Sequence, residues 1–175
     1  THYTSNEGLR SEVLAIEQLN GSIYAGTLSG LFRLEDKTFR QVADIAHACW
    51  QLTKQGNTLL AATSNGVFRI GAANAVSHLT TGNTLSIMAD GAGSFYCGET
   101  DGVYHYEDGT KKKVSDIEKV VKIVRDKSDN IWLQNLYGKL WKSNAKNIFE
   151  PFTKDNKEEI STQAKIGRAS CRERV

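Results

Sequence analysis

Apolar and polar residues follow one another along this chain in short runs, each closed by glycine, asparagine or aspartate. The first set reads Val13–Leu19, a turn at Asn20-Gly21-Ser22, Ile23–Leu28, a turn at Ser29-Gly30, Leu31–Leu34, a turn near Asp36-Lys37, and Phe39–Ile45. Short β-branched and aromatic runs bounded by turn residues predict strands joined by hairpins. The same layout then returns. Gly30, Gly66, Gly102 and Gly138 stand 36 residues apart. In the same register come Thr27, Thr63, Glu99 and Asn135, then Tyr24, Leu60, Tyr96 and Trp132, then Phe32, Phe68, Tyr104 and Leu140. An apolar residue opens each unit at Ile16, Leu52, Met88 and Val124. A fixed period without insertions is one structural unit copied four times.

Four strands of roughly six residues with their turns fill a unit of this length. Four short antiparallel strands per repeat describe a β-propeller blade. The sequence therefore predicts an all-β fold, a β-propeller fragment of four four-stranded antiparallel blades at 13–48, 49–84, 85–120 and 121–156. Helical repeats of similar length are excluded, because no unit carries a sustained i, i+3, i+4 apolar stripe and the glycines would interrupt both helices. The turns at Asn65-Gly66 and Asp101-Gly102 match the tight-hairpin dipeptides in which both residues take positive φ. The second strand of the units reads large, small, small: Tyr24-Ala25-Gly26, Leu60-Ala61-Ala62, Tyr96-Cys97-Gly98. Small side chains there let neighbouring blades approach; the fourth unit departs with Trp132-Leu133-Gln134. Pro151 falls where an outer edge strand tolerates it. Thr1–Arg10 is expected to be the outer strand and connector of a preceding blade, and 160–165 the first strand of a following one, within a partial propeller over 1–165. Both ends are expected to be cut, leaving exposed blade faces.

The segment Ile166–Val175, IGRASCRERV, reads as the translation of a common sequencing adapter, ATC GGA AGA GCG TCG TGT AGG GAA AGA GTG, rather than natural protein. Setting it aside changes the charge. Lys plus Arg falls from 22 to 19 and Asp plus Glu from 20 to 19, so the net charge falls from +2 to zero. A neutral chain offers no electrostatic case for nucleic acid or an anionic membrane. Lys111, Lys112 and Lys113, the one basic run, read as a solvated edge. Cys49 and Cys97 occupy small or apolar repeat positions and are expected to be buried free thiols. No cysteine spacing implies a disulfide framework, zinc site or redox pair, and no apolar run approaches the ~18 residues of a membrane span.

Catalytic signatures are missing. There is no nucleophile elbow, zincin helix, phosphate loop or repeated carboxylate pair. His2, His47, His78 and His105 fall at unrelated repeat positions, so neither a metal nor a cofactor is expected; His105, where other units have Arg33 and Arg69, reads as surface. Asp126-Lys127-Ser128-Asp129-Asn130-Ile131-Trp132 resembles the acidic hairpin turn of sialidase-type propellers, and an Asx-rich β-turn explains it. Ligand sites in propellers sit over the central channel, on the face carrying the fourth-to-first and second-to-third strand connections. The candidates are the residues breaking the repeat there: His47 and Trp50 in and after one connection, and Asn65, Asp101, Asn135 and Tyr137 in or beside the hairpins.

The residues also suggest a family. His2-Tyr3-Thr4-Ser5-Asn6-Glu7-Gly8-Leu9, then Val13-Leu14-Ala15-Ile16, then Asn20-Gly21-Ser22-Ile23-Tyr24-Ala25-Gly26-Thr27-Leu28-Ser29-Gly30-Leu31, and Asp129-Asn130-Ile131-Trp132 in unit four, resemble the two-component regulator propeller repeat. Units two to four drift from it, with Ala62 for glycine and Glu99 and Asn135 for threonine. The resemblance implies a non-catalytic sensory propeller, the periplasmic or extracellular input domain of a larger bacterial signalling protein such as a hybrid histidine kinase. It implies a small-molecule or glycan ligand, no membrane contact by this segment, and a parent protein that is membrane-anchored and dimeric; no kinase domain is present in the chain. Two alternatives stay open: a protein-interaction scaffold of a secretion or cell-surface system, and a glycan-active propeller enzyme.

Overall fold

In the computed structural model of the chain, residues 3, 5–72, 75–144 and 148–152 are described. They form four antiparallel four-stranded sheets. The first holds β1 (Val13–Leu19), β2 (Ser22–Thr27), β3 (Gly30–Glu35) and β4 (Thr38–Gln41). The second holds β5 (Cys49–Gln55), β6 (Thr58–Thr63), β7 (Gly66–Ile70) and β8 (Val76–His78). The third holds β9 (Thr84–Ala89), β10 (Phe95–Glu99), β11 (Val103–Glu107) and β12 (Thr110–Ser115). The fourth holds β13 (Val120–Arg125), β14 (Ile131–Asn135), β15 (Leu140–Ser143) and β16 (Phe149–Pro151). Strands lie in chain order within each sheet, and the first strands of successive sheets adjoin: β1 with β5, β5 with β9, β9 with β13. This is the blade order of a β-propeller. No α-helix occurs among the described residues.

Each junction between blades has its own apolar cluster. Tyr24, Leu31 and Ile45 of the first blade pack with Leu52, Leu59 and Phe68 of the second. Leu60 and Val67 pack with Ile87 and Phe95 of the third, and Val103 with Ile123, Ile131 and Leu133 of the fourth. Each such side chain contributes about 1.5–3 kcal/mol when fully buried. The small residues do what their pattern predicts. A Cβ on Gly26 would meet Cys49 O at 2.9 Å, and one on Gly98 would meet Val120 O at 2.4 Å, so β2 and β10 run directly against the next blade's inner strand. Cys49 and Cys97 are buried free thiols, and burial pushes both up to about 12.

The period slips where the turns lengthen. Ile16 pairs with Ala25 and Leu52 with Ala61. In the later blades, however, Ile87 pairs with Cys97 and Ile123 with Leu133. The inner-strand equivalents are therefore Ile87 and Ile123, one residue before the Met88 and Val124 that the period selects. The cause is the first hairpin. Leu19 pairs with Ser22 across a tight turn, whereas Ala89 pairs with Phe95 and Arg125 with Ile131 across longer loops. In the fourth blade the second hairpin also gains a residue, so Trp141 rather than Leu140 pairs with Leu133 and takes the place of Phe32 and Phe68.

Two further expectations change, while the outer strand expected at the start of Thr1–Arg10 falls largely outside the described residues; in the described part Ser5–Glu7 is a 3-10 turn, and Tyr3 meets Phe39 edge-on at 5.5 Å. Asn65 and Asp101 do not take positive φ. The side chain of Thr63 closes its hairpin instead, accepting from Asn65 N at 3.1 Å and donating to Gly66 O at 2.8 Å, so only Gly66 needs the left-handed region (φ 104). His105 is not simply surface: its ring lies 4.4 Å from that of Tyr96, and Nε2 is 2.9 Å from Asp90 Oδ2. The 160–165 and 166–175 segments lie outside the described residues.

Apolar exposure concentrates on the end blades. Ile16 is 70% exposed where its equivalent Leu52 is 7% exposed, and Leu14, Leu28, Val124, Leu136, Tyr137 and Ile148 are exposed as well.

Candidate functional site

The variable residues lie at the strand ends where the second-to-third hairpins meet the blade-to-blade connectors. The hairpins share a scaffold. Thr27 donates to Gly30 O at 2.9 Å and accepts from Ser29 N at 3.1 Å, as Thr63 does in its own blade. Asn135 reaches the same result with an amide, its Oδ1 accepting from Tyr137 N at 3.1 Å and Lys139 N at 3.0 Å. The buried side chain of Asn135 is thus occupied by its turn. One position is left free to vary at each tip: Ser29, Asn65, Asp101, Tyr137.

Two of these tip residues meet a connector residue. Asn65 Nδ2 lies 3.2 Å from His47 Nε2, and its backbone carbonyl lies 2.8 Å from His78 Nε2. The Lys119 ammonium donates to the Tyr137 hydroxyl at 2.7 Å and lies 5.3 Å from that ring's centre. This contact raises the Lys119 pKa, keeping the ammonium charged. Between these pairs Trp50 Nε1 donates to Asn83 Oδ1 at 3.1 Å, and the Tyr104 hydroxyl donates to Asp101 Oδ2 at 2.7 Å. The Tyr104 bond holds the Asp101 carboxyl below its usual range and pushes the Tyr104 hydroxyl up to about 12.

The structure therefore joins His47 with Asn65, sets Asn135 and Tyr137 in one turn, and gives Trp50 and Asp101 separate partners; it does not gather all six in one cluster. Sequence reasoning missed Asn83 and Lys119. A signal was present, since both stand at the repeat position of His47. A groove of about 580 Å³ runs beside the Tyr137 turn, lined by Asp116, Ile117, Glu118, Asn135, Tyr137 and Trp141 among others. Its walls combine aromatic faces with carboxylate and amide groups, a lining suited to polar ligands that carry apolar faces.

A second departure sits in the third blade. Glu99 replaces the turn-closing threonine and is buried, and its carboxylate accepts from Lys111 Nζ at 2.8 Å. Lys111 also donates to Thr81 O at 3.1 Å and covers the Tyr104 ring at 4.4 Å. Lys111 therefore belongs to a blade junction, a correction to the solvated edge expected of the lysine run; Lys112 and Lys113 are exposed. At the opposite strand ends, Asp126 organises its turn as an Asx turn should, accepting from Ser128 N at 2.9 Å, Asn130 N at 2.9 Å and Trp132 Nε1 at 2.8 Å. Among the described residues no group of three His, Cys, Asp or Glu side chains could hold a metal ion, and no helix is long and apolar enough to cross a membrane.

No protein-family profile and no curated protein matches this chain. Solved structures do. The chain is similar to the extracellular domain of a hybrid two-component system protein of B. thetaiotaomicron, with 19% identity, a TM-score of 0.69, and coverage of 81% of this chain and 21% of that one. It is also similar to PorZ, an essential bacterial surface component of the type-IX secretion system of Porphyromonas gingivalis, at 9% identity, TM-score 0.59, over 82% of this chain and 23% of that one. The WD40 β-propeller domain of Doa1 matches at 12% identity and TM-score 0.61, over 81% of this chain and 53% of that one. At these identities the likeness is one of fold, and the chain spans about a fifth of the two bacterial proteins.

Proposed function

We propose that this chain is a ligand-binding part of a sensory β-propeller, an exported input domain of the two-component regulator kind, and that it binds a small molecule or glycan without transforming it. The observation carrying this reading is the variable row at one set of strand ends. The hairpin scaffold is kept by Thr27, Thr63 and Asn135. The tip and connector positions change chemistry from blade to blade: histidine with amide, indole with amide, ammonium with phenol. A conserved frame carrying changing polar tips is how a rigid scaffold presents a binding surface. The row holds no nucleophile with a base and no carboxylate pair. The likeness to an extracellular two-component domain supports the same reading. The test uses the propeller region of the complete protein, incubated with glycan fragments while binding heat and product formation are followed together. Saturable binding of unchanged ligand is expected. Turnover abolished by substitutions in these blades overturns the reading in favour of an enzyme.

A second reading, a scaffold for protein partners, is supported by the likeness to PorZ. Absence of binding to any small ligand in the same experiment shifts the assignment to it.

A further inference from the structure

The third strand of every blade carries one cationic or protonatable side chain opposite a large residue of the second: Arg33 opposite Tyr24, Arg69 opposite Leu60, His105 opposite Tyr96, Lys142 opposite Trp132. Three of the four have a negative or π partner. Arg33 Nε donates to Glu35 Oε1 at 2.9 Å, His105 Nε2 lies 2.9 Å from Asp90 Oδ2, and Lys142 Nζ lies 5.2 Å from the Trp132 ring centre. Arg69 has neither. Its Nη2 makes two long contacts, 3.3 Å to Gln55 Oε1 and 3.4 Å to Gly93 O, and its buried Nε has no partner among the described residues.

The sequence explains why. The repeat position of Glu35 is Gly71 in the second blade, and with Leu52 pairing with Ala61 as Ile87 pairs with Cys97, the residue standing where Asp90 does is Gln55. Both carboxylates that serve the other blades are gone, one replaced by glycine and the other by the neutral amide that makes the 3.3 Å contact to Arg69. Leu60 offers no π face. A buried guanidinium N–H without an acceptor costs more than a neutral one, because charged groups lose more on leaving water.

There is space for an acceptor. A groove of about 580 Å³ lies against Arg69 between the second and third blades, lined also by Lys54, Gln55, Thr58 and the loop Gly91, Ala92 and Gly93. Its lining contains two cations and no acidic residue. Of the nearby carboxylates, Glu17 lies 3.5 Å from Lys54 Nζ and offsets that lysine's charge, while Asp90 takes both His105 and Arg125, so neither serves Arg69. A Cβ on Gly93 would meet nothing within 4 Å, so the loop leaves the groove open. The groove is built from first-to-second hairpins, at the strand ends opposite the variable row.

The geometry points to a binding site for a carboxylate group between the second and third blades, with Arg69 as its principal ligand. The incoming group takes the place that Glu35 fills beside Arg33. Carboxylate is the class because the repeat itself satisfies this position with one, and because the planar guanidinium fork matches a carboxylate.

The experiment titrates acetate, its neutral isostere acetamide, and inorganic phosphate into the nitrogen-labelled chain. It follows the amide resonances of Gly91, Ala92 and Gly93 and the Arg69 Nε–H. Acetate is expected to shift these saturably and acetamide to leave them still. R69Q is expected to remove the acetate response. So is G71E, which restores an internal carboxylate at the Glu35 position. Gly71 tolerates it, having an ordinary φ and only Ala75 O at 3.8 Å from an added Cβ. An equal response to acetamide, or an acetate response that persists in R69Q, overturns the site. Should R69Q fail to fold, persistence in G71E does the same. A tighter response to phosphate than to acetate overturns the carboxylate assignment.

Discussion

Gly98 lies against Val120 so closely that an added Cβ would stand 2.4 Å from the Val120 carbonyl oxygen and 2.5 Å from Ser86 Oγ. Ser86 itself donates to that carbonyl at 2.7 Å. The contact fastens the third blade to the fourth through backbone, which cannot yield as a flexible side chain does. Gly98→Ala is therefore expected to destabilise the chain by about 1–3 kcal/mol, the range for overpacking. Gly71→Ala, where an added Cβ meets only ordinary contact, is expected to be neutral or slightly stabilising. Denaturant unfolding of both variants checks this; equal effects would show that the junction is not closely packed.

The hairpin threonines give a sharper contrast. Thr63→Ala removes the hydroxyl that both donates and accepts within the turn, at an expected cost of about 1 kcal/mol. Thr63→Ser keeps the hydroxyl and should recover most of it. A serine variant as unstable as the alanine variant would assign the effect to the lost methyl instead.

Lys111 and Glu99 test the unusual third blade. Lys111→Met leaves a buried carboxylate without its cation, and breaking a buried pair in this way costs about 3–5 kcal/mol. Glu99→Thr restores the repeat's own turn-closing residue and frees Lys111, whose side chain is 26% exposed, to reach water. The lysine variant is therefore expected to be the less stable of the two. Thermal unfolding at constant pH orders them, and the reverse order contradicts the buried-pair account.

Asp126 supplies a pH dependence. Partial burial works to raise its pKa, but the bonds from Trp132, Asn130 and Ser128 together outweigh burial and lower it. A carboxyl whose pKa is depressed on folding contributes stability above its unfolded value of about 3.9, lost as pH falls through the folded value. Wild type should exceed Asp126→Asn in stability at neutral pH, and the gap should narrow below about pH 4. A gap unchanged from neutral to acid pH would remove the charge from the explanation.

Much of the fold is legible in the sequence because strands and glycine turns repeat as covalent spacing. The large-small-small strand announces the close blade approach at Gly26 and Gly98. What the spacing hides is compensation. The longer loops around Asp90 and Asp126 move the inner-strand register by one residue, so Ile87 and Ile123, not Met88 and Val124, take the fully buried inner-strand position. The loop residues change without disturbing the glycine series, and a fixed period cannot report them. The candidate residues were findable as breaks in the repeat at the tips, but their partners were not. Lys119 meets Tyr137, and Lys111 meets Glu99, through tertiary contacts that no local pattern encodes. Only the shared position of His47, Asn83 and Lys119 hints at the connector half of the row.

On the proposed function, ligand binds along the variable row. Amide hydrogen exchange on the propeller region of the complete protein, with and without a neutral glycan fragment that binds, tests it most directly. New protection is predicted in the connectors around His47, Asn83 and Lys119 and in the hairpin tips at Asn65, Asp101 and Tyr137. Protection confined to the first-to-second hairpins around Gly56, Gly91 and Asp126, with the row unchanged, would contradict it.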